Sequence, residues 1–342
     1  MKKILLLLTL AFTLISCGKS SKDENTLYIY GWADYIPKET YQAFEKETGI
    51  KVIEDIYSSN EEMFTKLKAG GAGYDIVLPS ADYTEIMMKE KMIDKLDKSK
   101  LSTLKNIDPL VLEKLQYFDK NNDYEVPYVM GATVIAVNKD YVKDYPRDYS
   151  IYNRSDLKGR MTLLDDMREV MTSALAMNGK DQTTSNEKDI ADAAEMVKGW
   201  KKNIAKFDSE SFGKGFASGD FWVVQGYPDN IFRELDADER KKVDFIIPEK
   251  GGTAYVDSFV ILSNAPHKEN AYKFIEFIHR PEIYAQLADI LETPSINVPA
   301  RELMEVEPLF QIEDLKNTQV LRDIHDTLDL QNKYWQEILI AD

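Results

Sequence analysis

Between residues 26 and 92 the chain switches repeatedly between two hydrophobic periods. Residues 26–30 form a β-rich run that stops at Gly31. Residues 37–48 carry helical spacing through Tyr41, Phe44 and Glu45, with Pro37 suited to a first helical position and Gly49 ending the helix. A second strand follows at 51–57, then a helix capped by Asn60 and running to 69. A third strand at 74–78 stops at Pro79-Ser80, and a third helix spans 82–92. A strand–helix–strand–helix–strand order implies a parallel sheet with right-handed crossovers. In such sheets ligands sit beyond the carboxyl ends of the strands. The loops at 31–35 and 80–83 lie at those ends.

A second set of alternations occupies the rest of the chain. Residues 133–137, 161–164, 221–225, 243–247 and 256–262 read as strands. Residues 169–177, 187–200, 229–235, 268–278 and 282–290 read as helices, and 314–338 as one long helix, continuous or broken. Gly131 and Gly251-Gly252 are candidate hinges between two lobes, or plain turn glycines. No repeat or low-complexity segment is visible.

The N-terminus sets the compartment. Lys2 and Lys3 precede an apolar run at 4–12, too short for a permanent membrane span. The run leads to Leu14-Ile15-Ser16-Cys17, which resembles a bacterial lipobox. There the chain is cut before the cysteine, whose sulfur carries lipid. This predicts a signal peptide at 1–16, lipidated Cys17 and a polar tether over 17–25. The alternative is an ordinary secretory signal with an incidental Cys. Cys17 is the one cysteine in the 342 residues, so no intrachain disulfide can form. The net charge of −16 argues against nucleic acid as a partner and favours cations, though an acidic balance also serves solubility.

Several ordered blocks look like the spermidine/putrescine-binding proteins of ABC transporters. They are 26–35 (TLYIYGWADY), 47–52, 59–61, 73–77 with Pro79-Ser80, 122–128 with 131–133, 165–169 (DDMRE), and 248–252 with Asp257-Ser258. The resemblance implies an α/β, two-lobed Venus-flytrap fold of the periplasmic-binding-protein type. Each lobe would be a mixed, mainly parallel sheet flanked by helices. Lobe 1 is expected over 26–131 plus about 253–305, lobe 2 over 132–252 plus about 306–342. The resemblance also implies a polyamine ligand, an ABC permease partner, no cofactor and no catalysis. The protein is expected to act as a monomer outside the cytoplasm, held to a membrane by lipid.

The residue chemistry agrees. A polyamine is an apolar chain with spaced ammonium groups, so its recognition needs carboxylates and aromatic faces; each cation–π contact contributes roughly 0.5–2 kcal/mol. Trp32, Asp34 and Tyr35 combine both in one loop. Asp166 and Glu169 lie three apart at a strand–helix junction; acids there also suit a helix dipole, and the family motif implies ligand contacts. Asp165 reads as structural, or as the partner of Arg168. Tyr255 and Asp257 share one strand face, and Asp257 is the expected principal anchor. Ser80, Asp82, Tyr83, Tyr227 and Asp229 complete the expected set.

Some positions depart from the spermidine-type pattern. Gln225 stands where an aromatic is usual, Thr293 replaces a Tyr, and Asp82 replaces an aromatic. Acids are more numerous and aromatics fewer, which leaves putrescine, another diamine or a different organic cation open. A carboxylate-dependent surface hydrolase is the alternative from another class. His267, His279 and His325 lack metal-ligand spacing, so no metal is expected. Neither a phosphate loop nor a nucleophile elbow is present.

Overall fold

The computed structural model describes residues 24–71 and 73–341. The expectations for the leader, for Cys17 and for tether residues 18–23 lie outside the described residues. Two sheets, each with its own apolar core, make up the structure. Among the described residues no helix is long and apolar enough to cross a membrane.

The first sheet is built from β1 (Thr26–Trp32), β2 (Lys51–Tyr57), β3 (Ile76–Val77), β4 (Val126–Ala132), and two later strands, β10 (Thr253–Ile261) and β11 (Gln319–Val320). The second holds β5 (Val134–Asn138), β6 (Met161–Leu163), β7 (Lys206–Phe207), β8 (Val223–Gly226) and β9 (Val243–Ile246). The strand orders are β11-β10-β3-β1-β2, with β4 on β10, and β7-β6-β8-β5-β9. β1 pairs in parallel with β2 and β3, as the alternation at 26–92 requires. In the second sheet β6 is parallel to β7 and β8. The long β4–β10 ladder and both neighbours of β5 are antiparallel, so both sheets are mixed.

Local chemistry explains most boundaries. Tyr41 and Phe44 of the helix Lys38–Thr48 are buried against the later helix Lys268–Ile278, Phe44 meeting Phe274 edge-on at 5.1 Å. Gly49 (φ 72) returns its N–H to the Glu45 carbonyl, the left-handed cap that favours glycine. Pro37 sits one position before that helix, and Ser59 rather than Asn60 caps the next, its hydroxyl accepting from the Glu62 N–H.

Three passages of chain join the lobes. β4 runs on into β5, and β10 arrives from β9 beside it, with the Thr133 N–H donating to the Thr253 carbonyl at 3.1 Å. The third passage corrects the expected long helix at 314–338. A 3-10 turn at Ile312–Leu315, β11, and a second turn at His325–Thr327 precede the helix Leu328–Ile340. Side chains hold this stretch extended: Lys114 donates to the Thr318 carbonyl at 2.8 Å, and Gln182 donates to the Val320 carbonyl at 2.8 Å while accepting from the Arg322 N–H. The lobe boundary also moves. Ile312, Leu315 and Val320, expected in lobe 2, are buried in the first core, whereas Trp335 and Ile338 are buried in the second.

Gly131, a candidate hinge, is the second-last residue of β4 and pairs with Tyr255. A Cβ there would lie 2.3 Å from the Tyr255 hydroxyl, so the glycine makes room for that side chain to lie across β4. Gly251 (φ 77) serves a left-handed turn before β10.

Candidate functional site

A cleft of about 540 Å³ opens between the two sheets. Its floor follows from strand periodicity. Along β10, Thr253, Tyr255 and Asp257 share one face, while Ala254 and Val256 are buried in the first core. The first face therefore presents a hydroxyl, an aromatic ring and a carboxylate in sequence.

Asp257 is 6% exposed. Its carboxylate accepts 2.6 Å hydrogen bonds from the Tyr35 hydroxyl and from the Ser80 hydroxyl. Tyr35 is fixed by the Tyr128 hydroxyl, which donates to the Tyr35 carbonyl at 2.8 Å. Ser80 is fixed by Asn60, whose amide donates to its hydroxyl at 3.0 Å. Burial pushes the Asp257 pKa up to about 6, against the lowering effect of the Ser80 and Tyr35 hydrogen bonds. Beside it the Trp32 indole donates to the Leu78 carbonyl at 3.0 Å and packs on Tyr57.

The second lobe supplies the opposite wall. Asp166 caps the helix Met167–Met177, accepting from the Arg168 and Glu169 N–H groups at 2.8 and 3.1 Å. Its side chain is thus both cap and cleft lining, so the dipole reading and the ligand reading meet in one residue. Glu169 is 1% exposed. It accepts from the Thr253 hydroxyl and, at 3.5 Å, from the Tyr227 hydroxyl. Burial and then the charge of Asp166 raise its pKa to about 7, and burial likewise raises that of Asp166. Tyr227 stands edge-on to Tyr255 with centroids 5.9 Å apart, closing the aromatic wall. Asp229, half-exposed at the rim, faces Arg233 at 3.6 Å.

Eleven of the twelve predicted ligand residues line this cleft. Asp34 does not; it adopts φ 57 in the turn after β1. Tyr83 lines the cleft with its hydroxyl on Glu61 at 2.9 Å. Asp82 is buried and paired with Arg168, which overturns the reading of Arg168 as a partner of Asp165. Gln225 is in the core, its amide tied to the Leu164 N–H and the Tyr149 hydroxyl, so Tyr227 is the aromatic of that segment that reaches the cleft. Asn60, Glu61, Arg168, Asn230 and Leu321 also line it and were not singled out as site residues. The 59–61 block was visible only as a motif. The role of Arg168 depends on a residue 86 positions away.

Among the described residues lining the cleft are six carboxylates (Glu61, Asp82, Asp166, Glu169, Asp229 and Asp257) and one cation, Arg168. No His, Lys or Cys is among them. Among the described residues no group of three or more His, Cys, Asp or Glu is disposed to hold a metal ion. The arrangement can bind and partly dehydrate a positive charge between aromatic faces.

Comparison with known proteins agrees with this chemistry. The spermidine/putrescine-binding periplasmic protein of Escherichia coli is 37% identical over 326 residues, covering 92% of each chain. A putrescine/cadaverine-binding protein of Pseudomonas aeruginosa is 31% identical over 99% of each. Among solved structures, the Tp0655 (TpPotD) lipoprotein of Treponema pallidum superposes with a TM-score of 0.87 at 39% identity, covering 92% of this chain and 99% of that one. Residues 39–307 match the family described as bacterial extracellular solute-binding protein, and the chain belongs to that family.

Proposed function

We propose that the protein captures an aliphatic polyamine in the interlobe cleft and delivers it to the permease of an ABC importer. The observation that carries this reading is an interlobe cleft lined by six carboxylates and one resident cation. Asp257 and Glu169 are desolvated and have hydroxyl partners but no cationic one. A buried carboxylate without a counter-ion is costly, and a ligand ammonium removes that cost. Trp32, Tyr35, Tyr227 and Tyr255 supply apolar faces for the methylene chain between ammonium groups. The relatives named for spermidine, putrescine and cadaverine support the same ligand class.

The protein works by binding, not turnover. Ligand bridging the two walls shifts the lobes toward the closed state, which the permease reads. Cys17 carries the lipid that holds this monomer to a membrane outside the cytoplasm. Calorimetric titration of the mature chain with putrescine and spermidine tests the reading. Saturable binding of one amine per chain is expected. Binding of neither, with saturable binding of a different organic cation, would replace the polyamine class.

A further inference from the structure

Asp82 lies in the first turn of the helix Ala81–Lys89 and is 4% exposed. Arg168 lies in the first turn of Met167–Met177, on the other lobe. Their side chains form an ion pair across the cleft. The remaining terminal nitrogen of the guanidinium donates to the Arg322 carbonyl at 2.8 Å, in the third passage between the lobes. One side chain therefore contacts both lobes and the chain that joins them.

In a cleft this acidic, a buried Asp82 needs a cation, either from the ligand or from the protein. Here the protein provides it. A guanidinium keeps its proton at every physiological pH. An ammonium approaching Asp82 would meet a fixed like charge. Two centres with a buried carboxylate then remain: Asp257 on the floor, and Glu169 with its neighbour Asp166 on the opposite wall. Arg168 is also within electrostatic reach of Asp166 and Glu169, which reduces the negative potential at that end.

We infer that Arg168 is a resident cation standing in for one ligand ammonium at Asp82, so that the cleft selects an α,ω-diamine over a longer triamine. This specificity role rests on the polyamine reading above.

The test is titration of 1,4-diaminobutane and spermidine into the full mature chain, into Arg168→Gln, into Asp82→Asn and into the double variant. The native chain is expected to prefer the diamine. Arg168→Gln frees Asp82 as a third anionic centre and is expected to shift the ratio of dissociation constants toward spermidine by at least about tenfold. Asp82→Asn leaves the guanidinium unpaired and is expected to weaken both amines without favouring the triamine. The double variant, with neither charge, is expected to regain the diamine preference. An unchanged ratio in Arg168→Gln, a native preference for spermidine, or a shift toward spermidine in Asp82→Asn would overturn the inference. The last of these stands even where Arg168→Gln does not fold. Binding of neither amine to the native chain would overturn the polyamine reading itself.

Discussion

Asp257 and Glu169 are the two buried acids of the cleft that form no ion pair within the protein, and they are held in different ways. Asp257 is tied to Tyr35 and Ser80, both of its own lobe, and Asn60 of that lobe orients Ser80 in turn. Glu169 belongs to the second lobe but is tied to Thr253, at the start of β10 where the chain returns to the first. The first carboxylate therefore keeps its geometry whatever the angle between lobes. The second is tied to one of the passages that join the lobes. The contrast suggests a division of labour: Asp257 anchors an ammonium in the open cleft, and Glu169 makes the second contact as closure brings its wall across.

The largest expected effect is at the fixed anchor. Asp257→Asn keeps the shape and removes the charge, and should weaken diamine binding by at least ~2 kcal/mol, as loss of a desolvated charge pair does. Glu169→Gln should weaken it by about half as much, because Glu169 shares its site and its charge with Asp166. Calorimetric titration of both variants decides the order. Equal losses would remove the distinction between anchor and second contact.

The two raised pKa values give a pH dependence with a definite sign. Both acids must be ionised to hold ammonium groups, and the amine stays charged well above pH 8. With Asp257 titrating at about 6 and Glu169 at about 7, affinity should fall on acidification, by roughly tenfold between pH 8 and pH 5 from Asp257 alone. In the ligand-free protein the same two groups act oppositely. Their folded pKa values are raised above the unfolded ones, so their stabilising contribution is complete below about pH 4 and is lost as the pH rises through about 6 to 7. The gain in melting temperature on adding putrescine should consequently be larger at pH 8 than at pH 5. A gain independent of pH would mean that neither acid meets the ligand.

Two smaller effects sharpen the comparison further. Gly131→Ala places a methyl group against the Tyr255 hydroxyl and should lower stability by about 1–2 kcal/mol while weakening binding, measured by denaturant midpoint and titration. Asn60→Ala removes the group that orients Ser80 and should weaken binding by about 0.5–1 kcal/mol, with stability nearly unchanged. A larger effect of Asn60→Ala on Glu169→Gln protein than on native protein would show that the two acid centres are not independent.

The first βαβαβ unit was legible because each element carries its own period and stop signal, as at Gly49 and Ser80. β4 was not read as a strand. Every residue from Val126 to Ala132 is buried, so no alternation marks it, and Pro127 argues against a central strand. The structure accommodates Pro127 opposite Ser258, where the β4–β10 register shifts. The site was legible where acid and aromatic share a strand face, as in Tyr255 and Asp257. It was illegible where the partner is remote: Asp82 looked like one more ligand acid until Arg168 was found across the cleft. Asp34 shows the converse, a residue of the right type beside Trp32 whose left-handed turn leaves it outside the cleft lining.

In the proposed complex a diamine lies along β10 with one ammonium at Asp257 and the other at the Asp166–Glu169 wall. A crystal structure of the mature chain with 1,4-diaminobutane tests it most directly. One nitrogen is expected within hydrogen-bond distance of the Asp257 carboxylate, the other within reach of Glu169 or Asp166, and the methylenes against Tyr255. Electron density for the diamine elsewhere, or in the cleft with neither acid centre engaged, would contradict it.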